Sequence, residues 1–460
     1  MRSLLGDRTI RIRIAVSFVN RLLDSMITSF MAVYFAFRFG AATAGLMLFT
    51  VVSLGVVAML ASGHLADRYG RRPTLLSAEA GVFATFGVMA VGAAQQPGGG
   101  LVIYAGYLFN RFAASFALPA NDAMIVDVTT PETRKQVYTV NYWAVNLALA
   151  IGALLGAWLY NGRFTVMLVV AASSTAGVVL TTFFWIPETR PDGAGVHVAS
   201  SQLRGFATGY RQVVRDHRFV RLVIAAALSL AIEFQLINYV GVRLAQDFPT
   251  QGLLPAGAPR VQVTGVQMLG VLRAENTVLV VLLALLSRRL FHRLPDRFAL
   301  YVGIGLFSGG YMVLAVSDSG WLLMVAGFVY TVGELMNVPV KQSLLAGMVP
   351  DGARTRYMAV YNLNIRVAQM IATLFVTLGS VVHPWVIAVL YGLIGLTITQ
   401  LYRSVLSRPS VIVEPDADVV GERLHSALAL GDRAGQHDGE TGAGEETPPG
   451  FRPDLGARRQ

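Results

Sequence analysis

Apolar residues in this chain fall in long blocks rather than in alternating or one-sided patterns. Twelve such blocks run over roughly 14–37, 42–63, 74–95, 101–127, 137–160, 164–186, 219–243, 265–288, 298–316, 320–346, 357–380 and 384–404. About twenty residues of helix cross the roughly 30 Å hydrocarbon layer of a bilayer. Lipid-exposed backbone must satisfy its own polar groups, so the blocks predict helices, and the chain an all-α polytopic membrane protein.

The polar interruptions are uneven, and the longest divides the chain. Pro187–Arg218, with Pro, Gly and several arginines, separates six apolar blocks from six. Within it, 203–214 can form a short amphipathic helix on the membrane surface. Pro119, Arg134 and Val140 recur 220 residues later as Pro339, Arg354 and Val360, the pattern expected of two parallel halves around a central path. The layout expected is an amino-terminal bundle at 1–187, a cytoplasmic connector at 188–218, a carboxy-terminal bundle at 219–405 and a tail at 406–460. From Val411 to Gln460 there are ten acids and five arginines without sustained apolar periodicity. That composition predicts a disordered acidic cytoplasmic tail, broken only by a short helix that 421–430 can form.

Charge placement orients the spans. Arg68, Arg71, Arg72, Arg134, Lys135, Arg204, Arg211, Arg215, Arg218, Arg288, Arg289, Arg293, Arg297, Arg354 and Arg356 fall on the side of the basic amino terminus. The other side carries only Arg38, Arg163, Arg243 and Arg260. By the positive-inside rule both termini are cytoplasmic, in a plasma-membrane protein. The net charge of +10 therefore reflects topology, not nucleic-acid binding. Only 14% of residues are charged, against about a quarter in soluble domains. The first span is full length and carries ionisable groups, unlike a cleavable signal peptide. Zero cysteines exclude disulfides and thiol chemistry. The seven histidines show no metal-ligand spacing, and neither a Ser-His-Asp nor a phosphate-loop pattern stands in a suitable context, so an enzyme is not expected.

Between the second and third blocks stands Gly63-His64-Leu65-Ala66-Asp67-Arg68-Tyr69-Gly70-Arg71-Arg72-Pro73-Thr74-Leu75, expected as a tight loop at the membrane surface. It resembles the G-x-L-a-D-r-x-G-r-R/K-x-x-L/I signature of the major facilitator superfamily. The resemblance implies the major facilitator fold, with 12 transmembrane helices in two pseudo-symmetric six-helix bundles, and transport by alternating access. It makes Gly63, Asp67, Arg68, Gly70, Arg71 and Arg72 gating residues, with Asp127, at the end of the fourth span, as a partner for the loop arginines.

Ionisable groups inside the spans are the other candidates, since the hydrocarbon layer penalises them. Arg21 and Asp24 lie one turn apart. They form either an internal ion pair or a proton or cation site at Asp24 with Arg21 beside it. Arg111, inside the fourth span, is a proton relay or a buried counter-ion. Glu233 and Glu334 are lone acids midway along the seventh and tenth spans, able to load and release a proton as water access alternates. Arg366 can neutralise Glu334 or meet an anionic substrate group. Arg273 and Glu275 are expected near the interface, and Glu79 is read as structural. Phe30, Tyr34, Tyr142, Trp143, Phe234, Tyr239, Tyr330 and Tyr361 supply aromatic surface suited to cationic amphiphiles or to ordinary packing. Gly152 and Gly156 permit close helix approach in the fifth span.

Longer strings narrow the resemblance. Asn121–Asp127, Arg134-Lys135, Tyr142-Trp143-Ala144 with Asn146-Leu147, Gly152–Leu159, and Val329–Glu334 followed by Pro339 are similar to the lincomycin-type multidrug/proton antiporters, the LmrP-like branch. The resemblance implies proton coupling and cationic-drug recognition at Glu334, and gate roles for Asp67 and Asp127. Two positions depart: the acid expected before Tyr142 is Asn141, and the seventh-span acid falls at Ile237, one turn from Glu233. The Gly-Pro of the drug antiporters' fifth-helix signature is also missing.

The function expected is proton-coupled efflux of small amphiphilic compounds, cationic ones among them, by a monomer that needs no cofactor beyond the proton gradient. A proton symporter importing a peptide, sugar or organic anion, with Arg21, Arg111 and Arg366 as the anion site, is the alternative. A non-transporting sensor acting through the tail is another.

Overall fold

The computed structural model describes residues 8–95, 98–127, 131–188, 213–253, 262–291, 294–350 and 353–406. Within these, side chains are described except at 60, 63–68, 118–120, 122–123, 125–127, 131–136, 138–139, 142, 284–291 and 354–356. The predicted helices at 203–214 and 421–430 and the tail lie largely or wholly outside them.

Helices account for nearly all the described residues. They are α1 (Arg8–Phe39), α2 (Ala41–Tyr69), α3 (Arg71–Ala94) and α4 (Gly100–Asp127). A helical stretch Pro131–Trp185 follows, broken at Asn161, Gly162 and Arg163; its limbs, 131–160 and 164–185, are α5 and α6. The second part has α7 (His217–Glu233), a 3-10 turn Phe234–Ile237, α8 (Tyr239–Asp247), α9 (Gly265–Phe291), α10 (Asp296–Val316), α11 (Gly320–Met348), α12 (Arg354–Gly379) and α13 (Pro384–Leu406). Two short antiparallel strands, β1 (Gln251–Gly252) and β2 (Gln262–Val263), link α8 to α9. Ten described segments are long and apolar enough to cross a membrane. The stretch through α5 and α6 counts once among them, and its break makes it two crossings. With α4, at 28 residues, the described residues hold twelve helical segments of membrane-crossing length. Large apolar side chains such as Leu101, Trp158, Phe184 and Leu396 stand exposed on the outside, where lipid is their solvent.

Two local features depart from expectation, the signature stretch and the seventh span, while the break between the fifth and sixth falls where the apolar blocks place it. The signature stretch is not a loop: α2 continues helically to Tyr69, and only Gly70, at φ 106, turns the chain. The apolar block ends near residue 63, but an α-helix satisfies its own backbone beyond the bilayer, so hydrophobicity marks the membrane boundary rather than the helix end. The fifth and sixth spans turn on Gly162, whose φ of 76 suits glycine. The seventh span is discontinuous, interrupted at Phe234–Asn238 immediately after Glu233.

Small residues set the closest approaches, as expected where lipid removes the hydrophobic drive for helix association. A Cβ on Gly156 would stand 2.5 Å from the Met26 carbonyl oxygen of α1, so Gly152 and Gly156 do bring α5 against α1. Gly303 and Gly310 of α10 lie on the backbone of α11 at Gly333 and Ala326. Contacts between helices before residue 188 and those after 213 gather at the end remote from Arg8, here termed the far end. There Thr377 Oγ1 donates to the Ala42 carbonyl (2.9 Å), Asn161 Nδ2 to Thr264 Oγ1 (3.3 Å), and Gly270 of α9 lies against Ala157 of α5.

Candidate functional site

Asp24 projects from the middle of α1, and its partner is Arg111 of α4, whose Nη1 donates to Asp24 Oδ1. Thr28, one turn further along α1, donates to the same carboxylate oxygen at 3.3 Å, and Arg111 Nη1 lies 3.5 Å from its hydroxyl. The one-turn spacing of Arg21 and Asp24 does not make them the pair; Arg21 is exposed and acts on Asp24 only through space. An i,i+3 neighbour shares a helix face, but a bundle brings a second helix nearer still. The pair lies deep in the protein, yet its side chains keep 25% and 31% accessibility, so it borders an internal opening.

That opening is a cavity between the two sets of helices. Thr28, Arg111 and Ser115 line one wall; Phe234, Asn238, Arg366 and Gln369 line the other. Gly55 leaves room for it, since a Cβ there would meet Ser115 Oγ at 3.0 Å. Arg366 faces Arg111 across the cavity rather than neutralising Glu334. Among the described residues it has no carboxylate partner and donates to Gln369 Oε1 (3.3 Å) and Met59 Sδ (3.6 Å).

Glu233 and Glu334 converge from α7 and α11. Each acts electrostatically on the other's surroundings, and Lys341 lies within range of both, with Arg273 of α9 near Glu233. Lys341 follows Glu334 by seven residues, two turns along one face of α11. Asn276 Nδ2 donates to Glu334 Oε2 and to Thr331 Oγ1, each at 3.1 Å, and fixes the carboxylate. Tyr311 donates to the Glu233 carbonyl at 3.0 Å, taking one of the acceptors that the break in α7 sets free. Glu233 lies deep in the molecule but remains exposed to solvent, as a group on an inner wall does. Arg273 and Glu275 are not interfacial: Arg273 joins this cluster, and Glu275 packs on Gly327 of α11.

The gating candidates divide. Glu188, three residues beyond the end of α6, accepts from the first backbone amides of α3, Arg71 N at 3.2 Å and Arg72 N at 3.0 Å, where the helix dipole favours a carboxylate. Arg72 also donates to the Phe183 carbonyl at 2.5 Å. The side chains of Asp67, Arg68, Asp127 and Tyr142, and the surroundings of Gly63, lie outside the described residues. Asn141 is half-buried on α5. Of the aromatic candidates among the described residues, Phe234 lines the cavity, Tyr34 stacks on Phe164 (4.8 Å between centroids) and Tyr330 packs on Tyr311 (4.9 Å).

The sequence pattern of the Major Facilitator Superfamily matches residues 14–373, most of the chain and both sets of helices. The chain belongs to this superfamily. It is thus a transporter rather than an enzyme. It is 29% identical over 422 residues to a protein of Planococcus maritimus named Na(+), Li(+), K(+)/H(+) antiporter, covering 86% of this chain and 97% of that one. It is 23% identical over 377 residues to the multidrug resistance protein MdtH of Sodalis glossinidius, covering 81% and 85%. Among solved structures, a POT family transporter bound to a thioalcohol-conjugated peptide superposes with a TM-score of 0.68 at 14% identity, covering 87% of this chain and 97% of the other. A D-xylose-proton symporter superposes at 0.62 and 16%, covering 86% and 97%. At such identities the structures speak for the fold alone.

For a facilitator, the residues that sequence reasoning missed are Lys341, Asn276 and Glu188. Lys341 stands in a block whose hydrophobicity conceals it, and its seven-residue spacing from Glu334 was the available signal. Nothing in one sequence points to Asn276 or Glu188, since their partners lie 58 and at least 116 positions away.

Proposed function

We propose that this facilitator is a proton-coupled antiporter that exports small cations, amphiphilic ones among them, by alternating access. The observation that carries the reading is the cluster of Glu233, Glu334, Lys341 and Arg273 at the break in α7. With both acids ionised, two negative and two positive charges balance. One added cation, either a proton or a cargo ion, unbalances the cluster, and a second is repelled. Such exclusion couples two fluxes, because each ligand shifts the equilibrium only through its differential affinity for the two states. The break supports the same reading, since the carboxyl end of α7 is the negative pole of its dipole and discontinuous helices commonly form cation and proton sites at mid-membrane. The relatives named for monovalent-cation/proton antiport and multidrug resistance agree with it, as does the local likeness of 329–334 to the LmrP-like branch.

In this reading Glu334 binds proton or cargo, Glu233 assists, and the Asp24–Arg111 pair forms a second proton-responsive element on the cavity. Asp67, Asp127 and the signature arginines bias the near-end gate. A second reading is favoured by Arg366: a guanidinium on the cavity wall that meets no acid among the described residues suits a carboxylate, and so a symporter importing a peptide or organic anion.

The test is reconstitution in liposomes with a pH dye inside and an imposed proton gradient. Ethidium, sodium, potassium, a dipeptide and an organic anion are added in turn. Proton counterflow driven by a cation and abolished in Glu334→Gln is expected. Proton movement only together with the dipeptide or anion, lost in Arg366→Ala, overturns antiport in favour of the second reading.

A further inference from the structure

Glu79 of α3 and Arg13 of α1 are each 4% exposed, buried in the near half of the bundle away from the central cavity. Among the described residues, neither carboxylate oxygen of Glu79 and none of the three guanidinium nitrogens of Arg13 has a partner in hydrogen-bonding geometry. The two act on each other electrostatically, and Thr182 of α6 and Asn20 of α1 approach Glu79 at the margin of bonding. Thr182 is itself fully buried with an unpartnered hydroxyl. A buried pair whose charges do not touch, with only the marginal approach of Thr182 and Asn20 on the carboxylate side, leaves most of its desolvation unrelieved. Polar atoms so arranged, several in one place, are those that internal water satisfies.

Their placement gives such a site a direction. Arg13, Ser17, Asn20, Asp24 and Thr28 follow at intervals of four, three, four and four residues, a polar stripe along one face of α1. At 1.5 Å per residue the stripe spans about 22 Å. Its upper end is in the cavity, where Thr28 lines the wall and bonds Asp24. Its lower end, Arg13, is five residues from the near-end start of α1. Glu79 is eight residues into α3 from the same end and sits beside the middle of the stripe.

We propose that Glu79, with Asn20, Thr182 and Arg13, forms a hydrated proton passage between Asp24 and the near end, separate from the path the cargo takes. Glu79 is the relay. A water on the Asp24 side gives a proton to a carboxylate oxygen of Glu79 and takes one from the protonated Asp24 carboxyl, so each O–H bond broken is matched by one formed. The Glu79 O–H bond then breaks as a water on the Arg13 side takes that proton and passes one of its own to the solvent at the near end, and the carboxylate is restored. Asn20 and Thr182 orient the waters. Arg13 is the one charged group within electrostatic range of Glu79 among the described residues, and its fixed positive charge repels a metal ion from the passage. A proton can still pass, because it is handed along hydrogen bonds rather than moved as an ion. The inference rests on the proton-coupled reading above, and adds a route by which Asp24 exchanges protons while cargo occupies the cavity.

The test begins with a readout that needs no cargo. Infrared difference spectra of the purified full chain across a pH step should contain a protonated-carboxyl C=O band that Glu79→Gln removes and Glu334→Gln leaves in place. Thr182→Val should shift the same band, and serves if Glu79→Gln does not fold. In liposomes, Glu79→Gln should slow ethidium-driven proton counterflow tenfold or more while ethidium–ethidium exchange stays within twofold of wild type. Glu79→Asp should recover part of the counterflow. A band unchanged in Glu79→Gln, or in Thr182→Val where that variant stands in, overturns the passage. So does equal loss of counterflow and exchange together with a lowered melting temperature, which is the signature of a fixed structural pair. Failure of the antiport reading would show instead as absence of cation-driven counterflow in wild type with the Glu79 band intact.

Discussion

Replacing Gly270 by alanine should push the protein out of the far-end-closed state. The new Cβ would stand 2.5 Å from Ala157 Cβ and 3.3 Å from the Ala153 carbonyl oxygen. Carbon atoms in contact sit about 3.5–4.0 Å apart, so α5 and α9 must separate by roughly 1 Å or more at this point. Both neighbours are backbone or a Cβ, and neither can rotate away. Overpacking of this kind costs about 1–3 kcal/mol. The cost applies only while α5 and α9 touch, so it transfers almost whole to the conformational equilibrium, about a 5- to 150-fold shift toward the opened far end. The absence of cysteine makes the assay direct: spin labels at Arg163→Cys and Gln262→Cys, exposed residues at the far end, report the separation by pulsed dipolar resonance. The short-distance population should fall in Gly270→Ala and return when Ala157→Gly restores the space. An unchanged distance distribution refutes the idea that this contact holds the closed state. So would a shift that Ala157→Gly fails to reverse.

Two further outcomes test the other polar contacts. Asn276→Ala removes the donor that fixes Glu334 Oε2; at about 1.5–3 kcal/mol for a hydrogen bond to a charged group, cation-driven proton counterflow should need roughly ten- to hundredfold more cargo, with the maximal rate far less affected, as read in the liposome assay. Arg243 is 4% exposed and donates to the Leu314 carbonyl at 3.1 Å, to the Ser317 carbonyl at 2.7 and 3.0 Å, and to Asp318. Arg243→Ala leaves those carbonyls at the end of α10 without their donor, costing about 2–4 kcal/mol, and should lower the melting temperature by several degrees. The exposed Asp318 contributes little of this, and Asp318→Asn should shift it much less.

Much of the architecture was legible in one dimension. A run of twenty apolar residues dictates a membrane-crossing helix wherever it occurs, because the bilayer imposes the same requirement at every position. The membrane-crossing helices, the close approach through Gly152 and Gly156, and the membership signalled at 63–75 therefore follow from local strings. So does the candidacy of Asp24, Arg111, Glu233 and Glu334, since an intramembrane charge is conspicuous by composition alone.

Partnership was not legible. Sequence spacing offered Arg21 to Asp24, but the bundle gives Asp24 to Arg111, 87 residues away. Arg366 was offered either to Glu334 or to an anionic substrate group, and the fold places it on the cavity wall. Lys341 joined the acids only when α7, α9 and α11 were brought together, and Glu79, unremarkable in a list of residues, became notable once its surroundings proved both buried and unpartnered. The reason is the same each time. A helix fixes which face a residue occupies through its 3.6-residue period, whereas the charge it meets is set by which neighbouring helix packs on that face. In lipid that choice depends on small-residue contacts such as Gly270 on Ala157, whose two members carry no mark in sequence that they belong together.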